Sequence, residues 1–268
     1  MAMLIPITDP DDPRVLEYRQ IRDADRLGRT GRFMAEGEVV VERLSRATAF
    51  RTASLLLAEK RAAKLAPVID RLPEATPVYL ASQPVLDAVA GFHLHRGVLA
   101  LAEPLDQPGP EAILGPDDAP GIVVVAVGLS NHDNLGGVFR NAAAFGARGV
   151  LVDATSCDPL YRKSIRVSVG TVLTLPFARV AAGTDLVELV RRHGYEPLAL
   201  SPSAETALHR LVPPRRAALF IGAEGPGLEA ALLARAKTVG IPMAEGVDSL
   251  NAAATSAVAL HHLRFGGG

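Results

Sequence analysis

The chain has 268 residues, 49% of them hydrophobic, with 28 Lys and Arg against 29 Asp and Glu. That length fits one large or two medium domains, each able to bury a core. A formal charge of −1 excludes an evenly cationic coat for nucleic acid, and a single cysteine, Cys157, excludes an internal disulfide and a thiolate-rich zinc site. In chain order, the start MAMLIPITDPDDPRVLEY has prolines and acids where a signal peptide needs a basic start and an apolar run, so a cytoplasmic protein is expected. Residues 13–26 read as a polar helix with Val15, Tyr18 and Ile21 on one side. Arginines are dense here, from Arg14 through Arg22, Arg26 and Arg29 to Arg51. They are interleaved with Asp and Glu, as on a solvated, ion-paired face. Residues 37–44 read as a helix start, and 53–58, 78–80 and 98–101 as short strands, which predicts a small α/β or α+β domain over 1–104. The stretch EPLDQPGPEAILGPDDAP is rich in Pro, Gly and Asp and reads as a linker over 105–119.

From 120 to 268 strand and helix patterns alternate. The run IVVVAV (122–127) is continuous and β-branched, as in a strand buried on both faces. Residues 150–152, 197–200 and 219–221 read as further strands, and 136–145, 185–193, 228–237 and 252–263 as helices. This alternation predicts a mostly parallel sheet. Ligands bind such sheets beyond the carboxyl ends of the strands, so the loops after 127, 221 and 241 should carry the chemistry.

In the first loop, SNHDNLGGVFRN, Asn134 can cap the following helix, Gly136 and Gly137 admit close approach, and Arg140 can hold a phosphate. The second, Gly222-Ala223-Glu224-Gly225-Pro226-Gly227, suits a nucleotide only weakly and has the wrong spacing for a dinucleotide fingerprint. The third runs from Ile241-Pro242-Met243 to Ser249-Leu250-Asn251. Ser249 or Asn251 can cap the last helix, or either can face substrate. His93 with His95, and His261 with His262, lack the spaced partners that a metal site needs, so no metal is expected.

Taken in order, NLGxxxR, IGAEGxG and IPMxxxxxSLN resemble the three motifs of the SpoU (TrmH-type) RNA ribose methyltransferases of the SPOUT superfamily. Phe33-Met34-Ala35-Glu36-Gly37 and His95-Arg96-Gly97-Val98 are similar to the L30e-like substrate-binding domain that many members carry. The resemblance implies an α/β methyltransferase domain with a deep trefoil knot, preceded by a smaller L30e-like α/β domain that binds RNA. It implies S-adenosyl-L-methionine as cofactor, bound at Gly222, Gly225, Ile241, Met243 and Leu250, and a homodimer. Catalytic positions by the same resemblance are Asn134, Arg140, Glu224, Ser249 and Asn251. Methyl transfer to a ribose 2′-hydroxyl is implied, with rRNA favoured over tRNA. The third motif departs from the pattern, having Ala244-Glu245-Gly246 where glycine often follows the alanine directly. Arg162, Lys163 and Arg166 are candidate RNA contacts or an exposed basic helix. The alternatives are a non-catalytic RNA- or ribosome-associated protein on the same fold and a dinucleotide oxidoreductase resting on GAEGPG. The intact polar residues of the three loops speak against the first, and the absence of a strand–GxGxxG–helix arrangement against the second.

Overall fold

The apolar runs of the first hundred residues become a five-stranded mixed sheet. Its strands are β1 (Met3–Ile7), β2 (Phe33–Glu36), β3 (Phe50–Ala58), β4 (Pro77–Ala81) and β5 (Val98–Pro104), in the order β1-β4-β3-β5-β2. The computed structural model describes residues 2–19, 31–115 and 119–266. Strand β3 is central, parallel to β4 and antiparallel to β5. Its Leu55, Leu56 and Leu57 are all fully buried, so the run is continuous rather than alternating. The helix expected at 37–44 is α1 (Glu38–Leu44), which buries Val40, Val41 and Leu44 behind a Gly37 cap. Two helices that the sequence reading passed over, α2 (Ala62–Ile69) and α3 (Gln83–Ala90), complete the layer.

Of the helix expected at 13–26, residues Pro13–Tyr18 form a 3-10 turn that buries Val15 and Tyr18. Ile21 and the arginines at 22, 26 and 29 lie outside the described residues. The ion-paired reading of this region holds where it can be followed. Arg14 pairs with Asp12, Arg32 with Glu17 and Arg46 with Glu42 at 2.6–2.8 Å, and Arg19 and Arg51 pair with Asp11 and Glu103.

The chain divides into two units, Met1–Asp106 with Leu160–Thr174, and Gln107–Pro159 with Leu175–Gly268. The inserted segment of the first unit contains α6 (Arg162–Val167). There Arg162 Nη1 donates to Glu36 Oε2 at 2.8 Å, and Glu36 is buried. Arg162 is thus committed to an internal ion pair, whereas Lys163 and Arg166 are exposed.

The second unit is built on a seven-stranded sheet ordered β10-β12-β9-β11-β6-β7-β8, with every described pairing parallel. The strands are β6 (Gly121–Ala126), β7 (Gly149–Val152), β8 (Phe177–Arg179), β9 (Glu196–Leu200), β10 (Thr206–Ala207), β11 (Arg216–Ile221) and β12 (Lys237–Gly240). The run 122–127 supplies β6 up to Ala126, with Val127 just past its end, beside the fully buried β11. The stretch read as a linker carries α4 (Pro110–Leu114), whose Ile113 and Leu114 join this unit's core. Helices α5 (His132–Ala144), α7 (Leu186–Arg192), α8 (Ala230–Leu233) and α9 (Ala252–Phe265) follow. The helix expected over 228–237 shrinks to α8, because Lys237, Thr238 and Val239 are needed as the strand between β9 and β10. Since all the strands run one way, their carboxyl ends share one edge. The loops after β6, β9, β11 and β12 therefore meet there.

Candidate active site

The first loop is shaped by its neighbour strand. Asp153, just past β7, accepts hydrogen bonds from Gly128 N, Ser156 N, Ser156 Oγ and Thr155 Oγ1. Ser156 Oγ in turn accepts from Leu129 N at 2.9 Å. Entry to α5 is capped by Asn131, whose Oδ1 accepts from Asp133 N at 2.8 Å. Asn134, expected as the cap, instead lies within the first turns of the helix and is 3% exposed. The close approach expected of the paired glycines is a helix crossing. A Cβ on Gly137 would stand 2.4 Å from Ala253 Cβ of α9. Asn141 Nδ2, further along α5, donates to Ala253 O at 2.6 Å and Ser256 Oγ at 2.9 Å.

In the second loop Gly222 has a steric role. A Cβ there would sit 2.5–2.8 Å from the backbone of Gly227 and Leu228, so only glycine lets the loop fold back on itself. In the third, Val247 N donates to Ala244 O across a turn, with Gly246 at φ 80°. The displaced glycine thus supplies a left-handed residue at the third turn position, and Glu245 is left exposed.

Asn251 joins all three loops. Its Oδ1 caps α9 by accepting from Ala253 N (2.9 Å) and Ala254 N (3.3 Å). Its Nδ2 donates to Asn134 Oδ1 (2.7 Å) and Glu224 Oε1 (3.0 Å). Both amide hydrogens and the carbonyl are therefore engaged. Of the two caps considered for α9, Asn251 is the one used. Its work is to organise the loops rather than to reach outward.

These loops enclose a cavity of about 440 Å³, within the range of small-molecule sites. Gly222, Gly225, Ile241, Met243 and Leu250 line it, together with Glu224, Ser249 and Asn251. The strand ends Ile221 and Val239 add apolar wall, and Leu200, Ser201 and Pro202 after β9, with Thr255 from α9, complete much of the rest. Leu200, Ser201, Pro202 and Thr255 were not among the expected site residues. The Ser-Pro-Ser run directly after a strand pattern was the available signal for the first three. Asn134 reaches the cavity only through Asn251. Arg140 does not line it; it is exposed on α5, with no hydrogen bond or ion pair among the described residues.

Residues 121–261 match the model of the SpoU rRNA Methylase family. The chain belongs to that family. A protein of Mycobacterium bovis described as an uncharacterized tRNA/rRNA methyltransferase is 37% identical to this SpoU-family chain over 264 residues, covering 95% of it and 90% of the relative. A protein of Synechocystis sp. with the same description is 31% identical over 268 residues, covering 96% and 93%. Among solved structures, an RNA 2′-O ribose methyltransferase superposes with a TM-score of 0.78 at 28% identity, covering 97% of this chain and 98% of that one. An AdoMet-bound rRNA methyltransferase from Sinorhizobium meliloti shares the fold at 22% identity, with a TM-score of 0.82 and 97% of each chain covered.

Two ionisable residues outside the cavity lining brace the first loop, Cys157 through its backbone N–H on Leu129 O and Asp153 through Gly128 N. Burial pushes the Cys157 thiol up to about 11, which removes it as a thiolate nucleophile. Burial also works to raise the Asp153 carboxyl, but hydrogen bonds from Ser156, Thr155 and Gly128 outweigh it and hold the group below its ordinary value. A carboxyl depressed on folding stabilises the native state above the unfolded pKa of about 3.9. That contribution is lost as pH falls through the lower, folded value. Asp153→Asn is expected to flatten the stability curve on the acid side of pH 4. It should also lower the melting temperature at pH 7 by several degrees, both read by calorimetry across pH. Parallel wild-type and variant curves would refute this. Among the described residues, no group of three or more His, Cys, Asp or Glu is placed to hold a metal, and no helix is long and apolar enough to cross a membrane.

Proposed function

We propose that the protein is an S-adenosylmethionine-dependent RNA methyltransferase that acts on a ribose 2′-hydroxyl, with rRNA its substrate in preference to tRNA. The observation that carries the reading is the joining of three separated loops by Asn251 around one cavity at the carboxyl edge of the parallel sheet. The cavity fits the cofactor. Ile221, Val239, Ile241 and Leu250 offer apolar walls, Met243 a thioether, and the Gly222–Gly227 turn a backbone rim that a Cβ at Gly222 would destroy. When bound, S-adenosylmethionine supplies an activated methyl group on its sulfonium.

The protein's own part is alignment and charge. Glu224 keeps one carboxylate oxygen beyond the one held by Asn251, and Ser249 brings a hydroxyl. Both stand at the cavity, where they can orient a ribose. Arg140, permanently charged, holds the neighbouring phosphate and stabilises the oxyanion that develops as the 2′-hydroxyl releases its proton to solvent water and its oxygen takes the methyl group. Asn134 and Asn251 keep the loops in register.

A homodimer is part of this reading. The exposed side of α9 carries Ala254, Val258, His261 and Phe265 at helical spacing, with Phe265 62% exposed. The passage from β12 through 241–251 into α9, tied to two earlier loops by Asn251, supports the trefoil knot. The mixed sheet of the first unit supports an L30e-like RNA-binding domain. Work in the cytoplasm follows from the substrate.

The test is transfer of labelled methyl from S-adenosylmethionine to unmodified rRNA and tRNA pools, followed by nucleoside digestion. Label on a ribose 2′-oxygen of rRNA is expected. Label confined to bases, or none in either pool, would reject the reaction, and label confined to tRNA would reject the substrate preference.

A further inference from the structure

We propose that the loop from Gly91 to Gly97 in the first unit is a nucleotide-binding surface, taking an unstacked base of single-stranded RNA on the rings of His93 and His95 and a phosphate on Arg96. This rests on the RNA reading of the first unit and names the part of it that does the holding.

The rings are exposed and yet fixed. His93 has 58% of its side chain in contact with solvent, and His95 and Arg96 are exposed as well. His93 Nδ1 lies 2.6 Å from Asp87 Oδ2. The other oxygen of Asp87 accepts from Gln83 Nε2 at 2.7 Å and from Leu94 N at 2.9 Å. Leu94 between the two histidines is fully buried and anchors the loop. Gly91 and Gly97, at φ 77° and 60°, allow the chain to turn in and out of it. The two imidazoles meet edge to face, with centroids 4.4 Å apart and planes at 85°. Such a pairing covers at most one of the four ring faces, so flat surface remains for a base.

Cations border the rings. The Arg96 side chain lies along Gly37, whose Cβ position is 2.9 Å from Arg96 Cδ. The next residue, Glu38, is shared by Arg61 (2.9 Å) and Lys64. Arg61 also lies against Gly97 at the end of the loop, so Arg96, Arg61 and Lys64 together outnumber the two carboxylates of this region, Glu38 and the Asp87 that holds His93. An unpaired nucleotide requires this combination, a π-face for the base and positive charge for the backbone. The chain has no tryptophan and 4% Phe and Tyr, so histidine is the flat surface it has to offer here. A metal is a poorer occupant, since His93 Nδ1 is already engaged by Asp87 and no group of three or more His, Cys, Asp or Glu among the described residues is placed to hold one.

The experiment uses the full-length protein, unmodified rRNA and tRNA transcripts, and the variants His95→Ala, His95→Phe and Arg96→Ala. Filter binding and the KM for RNA are read together, with melting curves to confirm folding. Loss of one stacked base predicts about ten- to a hundredfold weaker RNA binding for His95→Ala. His95→Phe, which keeps a ring, should stay within about threefold of wild type. Arg96→Ala should reduce the salt dependence by about one phosphate contact. The kcat at saturating RNA and the affinity for S-adenosylmethionine should not move. Unchanged RNA affinity in folded His95→Ala and Arg96→Ala would overturn the proposal, as would a loss in His95→Phe equal to that in His95→Ala. Wild-type protein that binds RNA but transfers no methyl group would instead remove the catalytic reading, and the filter-binding comparison would still decide the surface.

Discussion

Arg140→Ala should lower kcat for methyl transfer by about 10²–10³-fold, the usual cost of removing one charge-stabilising donor from a reacting oxyanion. It should do so while leaving folding and cofactor affinity intact. The guanidinium is exposed on α5, makes no hydrogen bond or ion pair among the described residues and lies outside the cavity lining, so neither the core nor the pocket loses a polar partner. Arg140→Lys separates two roles. A lysine keeps the charge but not the planar fork that grips a phosphate through two hydrogen bonds. It should recover part of the loss, to within about 10–100-fold of wild type. Because Arg stays protonated, neither substitution should add or remove an arm of the pH–rate profile near neutrality. Single-turnover assays at saturating RNA and titration calorimetry with S-adenosylmethionine measure the two sides. Full activity in Arg140→Ala would leave the proposed mechanism without its cation. A cofactor affinity that fell with activity would place the residue in the pocket rather than at the RNA.

The second unit was more legible in sequence than the first, for a physical reason. Strands buried on both faces show as continuous β-branched runs, and 122–127 announced β6 almost to the residue. Strand β12 did not show, because Lys237-Thr238-Val239-Gly240 is short, carries a single fully buried residue and follows an alanine-rich stretch that imitates a helix. The three site loops could be read because glycine, proline and capping residues punctuate strand ends. Hydrogen bonds across more than a hundred residues cannot be read that way. Nothing local marks Asn251 as the partner of Asn134, or Asn141 as the partner of Ser256. Asp153 escaped notice as well. Its importance comes from holding a loop 25 residues earlier in the chain, through Gly128. The cap was misplaced by three residues, since Asn131 and Asn134 are equally good candidates in sequence and only packing against α9 draws one inward.

Asn251 offers the sharpest separation of stability from binding. Asn251→Ala removes a helix cap worth about 1 kcal/mol and leaves Asn134 Oδ1 buried without its donor, at about 1–3 kcal/mol. Together these should lower the melting temperature by roughly 5–15 °C and weaken cofactor binding. Asn251→Asp should behave differently. Its carboxylate can still accept from Ala253 N and Ala254 N, and a negative charge at a helix start is favourable. The helix end therefore survives, which offsets part of the lost bond to Asn134. The carboxylate would, however, face Glu224, whose Oε1 is 3.0 Å from the present amide nitrogen. Two like charges at that separation drive the Glu224 loop out of place and deform the cavity wall. The expected pattern is a smaller drop in melting temperature than for Asn251→Ala, with an equal or larger loss of S-adenosylmethionine affinity. Adding Glu224→Gln to Asn251→Asp reverses the donor and acceptor across the same gap and should recover at least about tenfold of that affinity. Calorimetric titration of the two single variants and the pair completes a double-mutant cycle. Additive losses would show that the bond between the second and third loops does not shape the pocket, whereas recovery in the pair would assign the cofactor site to that bond.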